Sequence, residues 1–347
     1  MPNILNVFIS DATIDSAYAW VCKNRKHYLP NADIWDLQFH WEKEREKIKQ
    51  QLLSGKYQFK PLKIITRQDK TRQDKTRQDK TTIALWDAKD ALVIKMLTLT
   101  LSDYLPIHER CEHIKGNGGG KQSALKINNI LQQGEYHFVC RTDIKGYYAN
   151  INKTQLLAQL NPLIKNDIIF NLLIQFVHYS VEDGGVFHTP ENGIARGSSL
   201  SPLIGAFHLY LIDVYFSQIA NIYYARYMDD FVILTKTRWQ LRKAVKKLNQ
   251  FFNQFSFKQH PDKTFIGKID KGFDWMGAQF AQSGIVDIAP RSLKKILENI
   301  QRLYEQTPQR VAEYLNRSLR YFIASTDSPG TFRLIALVSS MAISPAV

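Results

Sequence analysis

The sequence predicts an α+β fold, and three observations carry that reading. Apolar residues make up 44% of the 347 and charged residues 22%, enough for a sizeable core and unlike a disordered or fibrous chain. Short runs of β-branched and aromatic residues are interleaved with segments of helical periodicity. The two kinds follow one another without the strict alternation of a parallel βαβ sheet. The length allows one large domain or two to three smaller ones.

Taken in order, 33–54 reads as one amphipathic helix, with Ile34, Leu37, Phe39, Trp41, Ile48 and Leu52 among Glu and Lys, stopped by Gly55. Residues 57–65 read as a strand. Residues 66–80 are three perfect copies of Thr-Arg-Gln-Asp-Lys, each adding one net positive charge. That array is too short and polar to be a solenoid, so it predicts an expanded loop between the first strand and a second at 82–86. A helix is expected over 87–104. The run Gly116–Gly120 between Lys115 and Lys121 lacks the ending and context of a phosphate-binding P-loop, so it reads as a connector. Further helices are expected at 123–133, at 155–179 with a turn near Pro162, at 199–220, at 239–255 and over 291–326. Strands are expected at 137–143, as a hairpin over 223–235, and as a pair around 264–269 and 274–281.

Lys and Arg number 46 against 32 Asp and Glu, a formal net charge of +14. Such an excess points to a polyanion, nucleic acid first and an anionic membrane second. Cys22, Cys111 and Cys140 are too few and scattered for a disulfide framework or a zinc site. The start does not read as a signal peptide, and 332–347 is too short to span a bilayer. The expectation is a reduced, cytoplasmic protein that does not enter membranes.

The chemistry gathers in the run from Tyr223 to Leu234, Tyr-Tyr-Ala-Arg-Tyr-Met-Asp-Asp-Phe-Val-Ile-Leu. Two β-prone stretches flank Met228–Asp230, the layout of a hairpin with carboxylates at its tip. Adjacent Asp229 and Asp230 repel each other unless they are solvated or neutralised by a cation. Asp143 ends the strand at 137–143 and supplies a carboxylate from elsewhere in the chain. Phosphoryl transfer with two metal ions needs carboxylates from separate strands, holding the ions roughly 3.5–4 Å apart. Asp143 and Asp229 satisfy that need if strand and hairpin are neighbours in one antiparallel sheet. Mg²⁺ favours such sparse sets, completed by substrate phosphates and water.

Five ordered motifs give the pattern a family. Asp143-Ile-Lys-Gly-Tyr-Tyr148, Arg196-Gly-Ser-Ser-Leu-Ser-Pro202, Tyr227-Met-Asp-Asp230, Lys263-Thr264 and Phe273-Asp-Trp-Met-Gly277 resemble the successive palm motifs of reverse transcriptases. Weaker likeness extends from about Trp35 to Ser325. The resemblance implies a right-handed polymerase. Residues 1–136 would be N-terminal helices and fingers with the repeat-expanded hairpin at 66–80, 137–281 mainly palm with inserted fingers and helical segments, and 282–347 a helical thumb and tail.

The resemblance also implies roles. Asp143, Asp229 and Asp230 would be catalytic and hold two Mg²⁺ ions, which Mn²⁺ can replace, with the Ile144 carbonyl as a further ligand. Lys263 would protonate pyrophosphate. Tyr148 would block a ribose 2′-hydroxyl, with neighbouring Tyr147 filling the core, while Arg196 and Gly197 receive the deoxynucleoside triphosphate. In the repeat, Arg67, Lys70, Arg72, Lys75, Arg77 and Lys80 are all candidates to close over the triphosphate. Tyr227 and Met228 would lie under the primer end, and Trp275 and Gly277 in the primer grip. Arg196 departs from the Gln that many family members carry.

Ser201-Pro202 resembles the group II intron-like bacterial branch, while marks of retron and diversity-generating enzymes are missing. Neither RNase H carboxylates nor a Cys/His endonuclease finger follow. The implied partners are an RNA template, a DNA or RNA primer and dNTPs, with a cognate noncoding RNA in a retroelement or anti-phage defence system. The alternative is an RNA-binding maturase or structural ribonucleoprotein component whose polymerase activity is secondary.

Overall fold

The N-terminal sequence folds into four helices, α1 (Ile4–Phe8), α2 (Asp11–Arg25), α3 (Asp33–Phe39) and α4 (Trp41–Leu53). There follow strands β1 (Leu62–Arg67) and β2 (Thr81–Leu85), helices α5 (Ala88–Leu101) and α6 (Gly119–Gln132), and strand β3 (Phe138–Asp143). Helices α7 (Tyr147–Asn150), α8 (Lys153–Leu160) and α9 (Asp167–Val177) lead to hairpin β4 (Val181–Asp183) and β5 (Val186–His188). Next come α10 (Ser201–His208), α11 (Tyr210–Ser217), hairpin β6 (Ile222–Tyr227) and β7 (Asp230–Thr235), and α12 (Arg238–Gln254). Then follow β8 (Phe265–Lys268), β9 (Phe273–Trp275), β10 (Ala278–Ala281), β11 (Gly284–Ile288) and α13 (Pro290–Gln306). The structure, a computed structural model, describes residues 3–67, 81–307, 310–311 and 313–315. The fold is α+β, as expected.

The chain weaves between two units. The first takes the described chain up to His108, Gly146–Leu211 and Asn253–Phe257. The second takes Glu109–Lys145, Ile212–Phe252 and the described chain from Lys258.

In the first unit a mixed sheet runs in the order β2-β1-β4-β5. The expected β1–β2 hairpin is present, with Arg67 opposite Thr81. The repeat's first two residues extend β1, and the rest of it, 68–80, lies outside the described residues, and with it Lys70, Arg72, Lys75, Arg77 and Lys80. Strand β1 starts at Leu62 because side chains take the backbone groups just before it. Gln175 bonds both Phe59 N–H and Tyr57 C=O, and Asp90 accepts from Lys60 N–H.

The sequence reading did not identify hairpin β4–β5, whose turn is Gly184–Gly185 with both φ angles positive. Two expected helices are broken. Residues 33–54 split at His40, whose ring bonds the carbonyl and carboxylate of Asp36. The apolar run 199–220 splits at Leu209 (φ −98°), where the Gln159 amide engages the preceding His208 carbonyl.

In the second unit an all-antiparallel sheet runs β6-β7-β3-β8, with a three-stranded sheet β11-β10-β9 beside it. This corrects the expected pairing of 264–269 with 274–281. Strand β8 joins β3, while 273–281 folds on itself through Met276 and Gly277, both at positive φ.

The pleat sorts the central sheet. Val139, Arg141 and Asp143 share one face with their register neighbours Leu234, Val232 and Asp230. That face packs Val139, Val232 and Leu234 against Ile127 and Leu131 of α6 and Phe273 and Phe280 of the small sheet. The opposite face carries Phe231, whose ring meets Phe252 of α12 at 5.4 Å.

Candidate active site

The second unit presents its carboxylates at one end of the central sheet. Strands β6 and β7 pair as far as Tyr227 and Asp230, leaving Met228 and Asp229 as the turn. Met228 adopts φ +56°, a left-handed backbone that costs a non-glycine residue about 1–2 kcal/mol. Its peptide groups are held from two sides. The N–H donates to His113 Nδ1 at 3.0 Å, and the C=O accepts from Arg226 Nη1 at 2.7 Å. Arg226 is fully buried and forks onto Asp213 through Nε (2.7 Å) and Nη2 (2.5 Å). Tyr224 donates to the same carboxylate at 2.6 Å. The His113 ring also meets Tyr227 edge-on at 5.8 Å.

Asp143 stands opposite Asp230 across β3–β7, and the Ile144 N–H donates to the Asp229 carbonyl at 3.2 Å. Burial, then the Asp143 charge and a hydrogen bond with Asp143, push the Asp229 carboxyl up to about 7. Burial chiefly raises Asp230 to about 6, partly opposed by Arg141 and Lys263. Lys263 Nζ contacts Asp143 Oδ2. Arg141 lies 3.2 Å from Asp230 and 3.5 Å from Asp274.

The fit of these residues to a cation can be judged from their unsatisfied atoms. Asp143 Oδ1 and Asp230 Oδ1 are both buried without a hydrogen bond, and the nearby Arg141 lacks the geometry to make one. Buried acceptors without a hydrogen bond, beside a carboxyl that resists ionisation, suit a divalent ion. However, no three His, Cys, Asp or Glu side chains among the described residues form a ready cage. Asp230 lies 3.2 Å from Arg141, and the Asp143 charge acts on both Asp229 and Asp230. Water and substrate phosphates would have to complete the coordination.

Other expected residues lie around this end of the second unit. A Cβ placed on Gly120 would meet Met276 at 3.3 Å and Tyr227 at 3.7 Å, so the β9–β10 turn adjoins the tip. Gly277 has φ +88° and approaches Ser292 of α13. Trp275 is a correction. It was expected to touch a primer, yet it is fully buried and its indole N–H donates to Ser123 at 2.7 Å.

Tyr148, Arg196 and Gly197 belong to the first unit. Tyr147 fills the core as expected and donates to the Gly205 carbonyl at 2.7 Å. Tyr148 is also largely buried, against Gly205. Arg196 is exposed. Gly197 takes φ +82° with open space where a side chain would stand. With Ser198 and Ser199, Gly197 borders a cavity of about 300 Å³ shared with Trp20, Arg25 and Trp86.

Sequence reasoning missed His113, Asp213 and Arg141. Asp213 left one signal, a lone carboxylate in the apolar run Tyr210-Leu-Ile-Asp-Val-Tyr-Phe216.

Comparison with known proteins bears on these features. The family model described as "Reverse transcriptase (RNA-dependent DNA polymerase)" matches residues 57–280, more than half of the chain. The group II intron-encoded protein LtrA of Lactococcus lactis subsp. cremoris is 26% identical over 179 residues, 51% of this chain and 29% of that protein. The chain thus spans under a third of the length of the curated relatives it matches. Among solved structures, apo telomerase from Candida tropicalis aligns with a TM-score of 0.47 and 13% identity, over 68% of this chain and 50% of that one. A chain of a partial Cas6-RT-Cas1–Cas2 complex aligns at 0.40 and 19%, over 72% and 42%.

Proposed function

Because this chain belongs to the reverse transcriptase (RNA-dependent DNA polymerase) family, we propose that it copies RNA into DNA at the β6–β7 tip. The observation that carries the reading is the register of Asp143 opposite Asp230, with one buried oxygen on each that accepts no hydrogen bond. Two Mg²⁺ ions held by Asp143 and Asp229, with Asp230 and the Ile144 carbonyl beside them, would activate a primer 3′-hydroxyl and offset charge on the leaving pyrophosphate.

The chain's own groups do the rest. Lys263, here on Asp143, is the proton donor for the leaving group. Tyr148 excludes a ribose 2′-hydroxyl. Arg196 binds the triphosphate, and Gly197 lets backbone approach it. Lys80, outside the described residues, remains a candidate for the same phosphates. Tyr227, Met228 and Gly277 support the primer end. Fingers with N-terminal helices would take 1–136, the palm most of 137–281 with finger and helical segments inserted, and a helical thumb and tail 282–347.

The motif likeness and the partial match to LtrA favour a group II intron-like enzyme working on a cognate RNA. A retroelement or anti-phage setting suits such an enzyme. The test supplies a heteropolymeric RNA, an annealed DNA primer, dNTPs and Mg²⁺, and sequences the product. DNA complementary to the template supports the reading; no template-directed product refutes it.

A further inference from the structure

The outward face of α12 has no role in the function proposed above. The helix carries Arg238, Arg242, Lys243, Lys246 and Lys247 and no Asp or Glu. Arg238, Trp239, Arg242, Lys243 and Lys246 are exposed, and their spacing lays them along one stripe of the helix. Among the described residues none of these cations has a carboxylate partner. Three like-charge pairs, Arg238–Arg242, Arg242–Lys246 and Lys243–Lys247, stand four residues apart, where such pairs destabilise a helix. The stripe thus opposes the helix that carries it unless an anion lies across it.

Trp239 is 76% exposed at the head of this stripe, and the Arg242 guanidinium sits 5.2 Å over its ring. An open indole beside unpaired cations matches a base and its phosphates. A membrane fits poorly, because the apolar side of α12 (Leu241, Ala244, Leu248 and Phe252) is already buried. Phe252 packs on Phe231, which points away from the face bearing Asp143 and Asp230. Within its unit, the stripe therefore lies on the reverse of the sheet from the carboxylates.

We propose that this face of α12 is a second RNA-binding surface, which holds folded RNA flanking the stretch being copied. The proposal rests on the reading of the chain as an RNA-copying enzyme. Phosphates of a stem would lie along Arg238, Arg242, Lys243 and Lys246, with an unpaired base against Trp239.

The test measures binding of a labelled RNA hairpin to the full chain by fluorescence anisotropy, with excess poly(rA)/oligo(dT) occupying the polymerase cleft. Arg242→Gln/Lys246→Gln should bind about tenfold more weakly near physiological salt, with a log–log salt slope shallower by about 1–2. Trp239→Ala should lose affinity with its slope unchanged. Both variants should extend oligo(dT) within about twofold of wild type, and the double variant should melt no earlier than wild type. Hairpin affinity and slope unchanged in the double variant would overturn the proposal, as would equal losses of binding and extension. If those variants instead release a copurifying acidic protein and keep hairpin affinity, the face belongs to a protein and the proposal also fails. Hairpin binding is read without catalysis, so failure of the polymerase reading would be separately visible.

Discussion

Asp143, Asp229 and Asp230 could be found in the sequence because they stand at the ends of β-prone runs, inside motifs that resemble those of reverse transcriptases. The groups that hold them were not legible. His113 acts by accepting one backbone N–H from Met228, and a hydrogen-bond acceptor leaves no spacing pattern. Arg226 stands in the visible run, yet only the fold brings Asp213 to it. The consequence can be measured at residue scale. In His113→Ala the part-buried Met228 N–H loses its partner, a cost of about 1 kcal/mol or more, and the turn drifts from its left-handed form. We expect kcat for primer extension to fall about ten- to hundredfold with KM for dNTP within about threefold. His113→Asn, which restores an acceptor, should recover most of the loss. A variant whose KM rises while kcat holds would show that His113 does not position the turn.

At the scale of elements, the strands at the site were the most legible parts of the chain. The runs 138–143 and 222–235 are rich in β-branched and aromatic residues, and both folded where that composition places them. What the sequence concealed were breaks caused by distant partners. Gln159 ends α10 at His208, and Gln175 with Asp90 holds 57–60 out of the β1 ladder. The segment following Tyr148 depends on another such contact. Gly193 has φ +86°, and a Cβ there would stand 2.7 Å from the Tyr148 carbonyl oxygen. Its neighbour Ile194 donates to that same oxygen at 2.9 Å. Gly193→Ala should therefore lower stability by about 1–3 kcal/mol, read from the denaturant midpoint, and should admit ribonucleotides more readily by displacing Tyr148. An unchanged midpoint would mean that the glycine is dispensable.

At the scale of the whole molecule, the net charge of +14 conceals a local excess of negative charge at the β6–β7 tip. Half-buried Asp229 and Asp230, raised to about 7 and 6, hold protons that the unfolded chain, with carboxyls near 4, has already released. Their contribution favours the folded state fully below about pH 4 and is lost as pH rises through 6 and 7. The metal-free protein should accordingly lose stability between pH 5 and 8. If Mg²⁺ is held by the ionised carboxylates, as proposed, it should raise the melting temperature more at pH 8 than at pH 5.5. Equal shifts at both pH values would disconnect these carboxylates from the metal.

The central claim is that carboxylates delivered by β3 and the β6–β7 turn carry out DNA synthesis. The most direct measurement is dTTP incorporation on poly(rA)/oligo(dT) with Mg²⁺, comparing the wild type with Asp229→Ala. The account predicts steady incorporation by the wild type and a loss of at least about a thousandfold in the variant, since removing a metal ligand forfeits several kcal/mol of transition-state stabilisation. No incorporation by the wild type, or undiminished incorporation by Asp229→Ala, would contradict it.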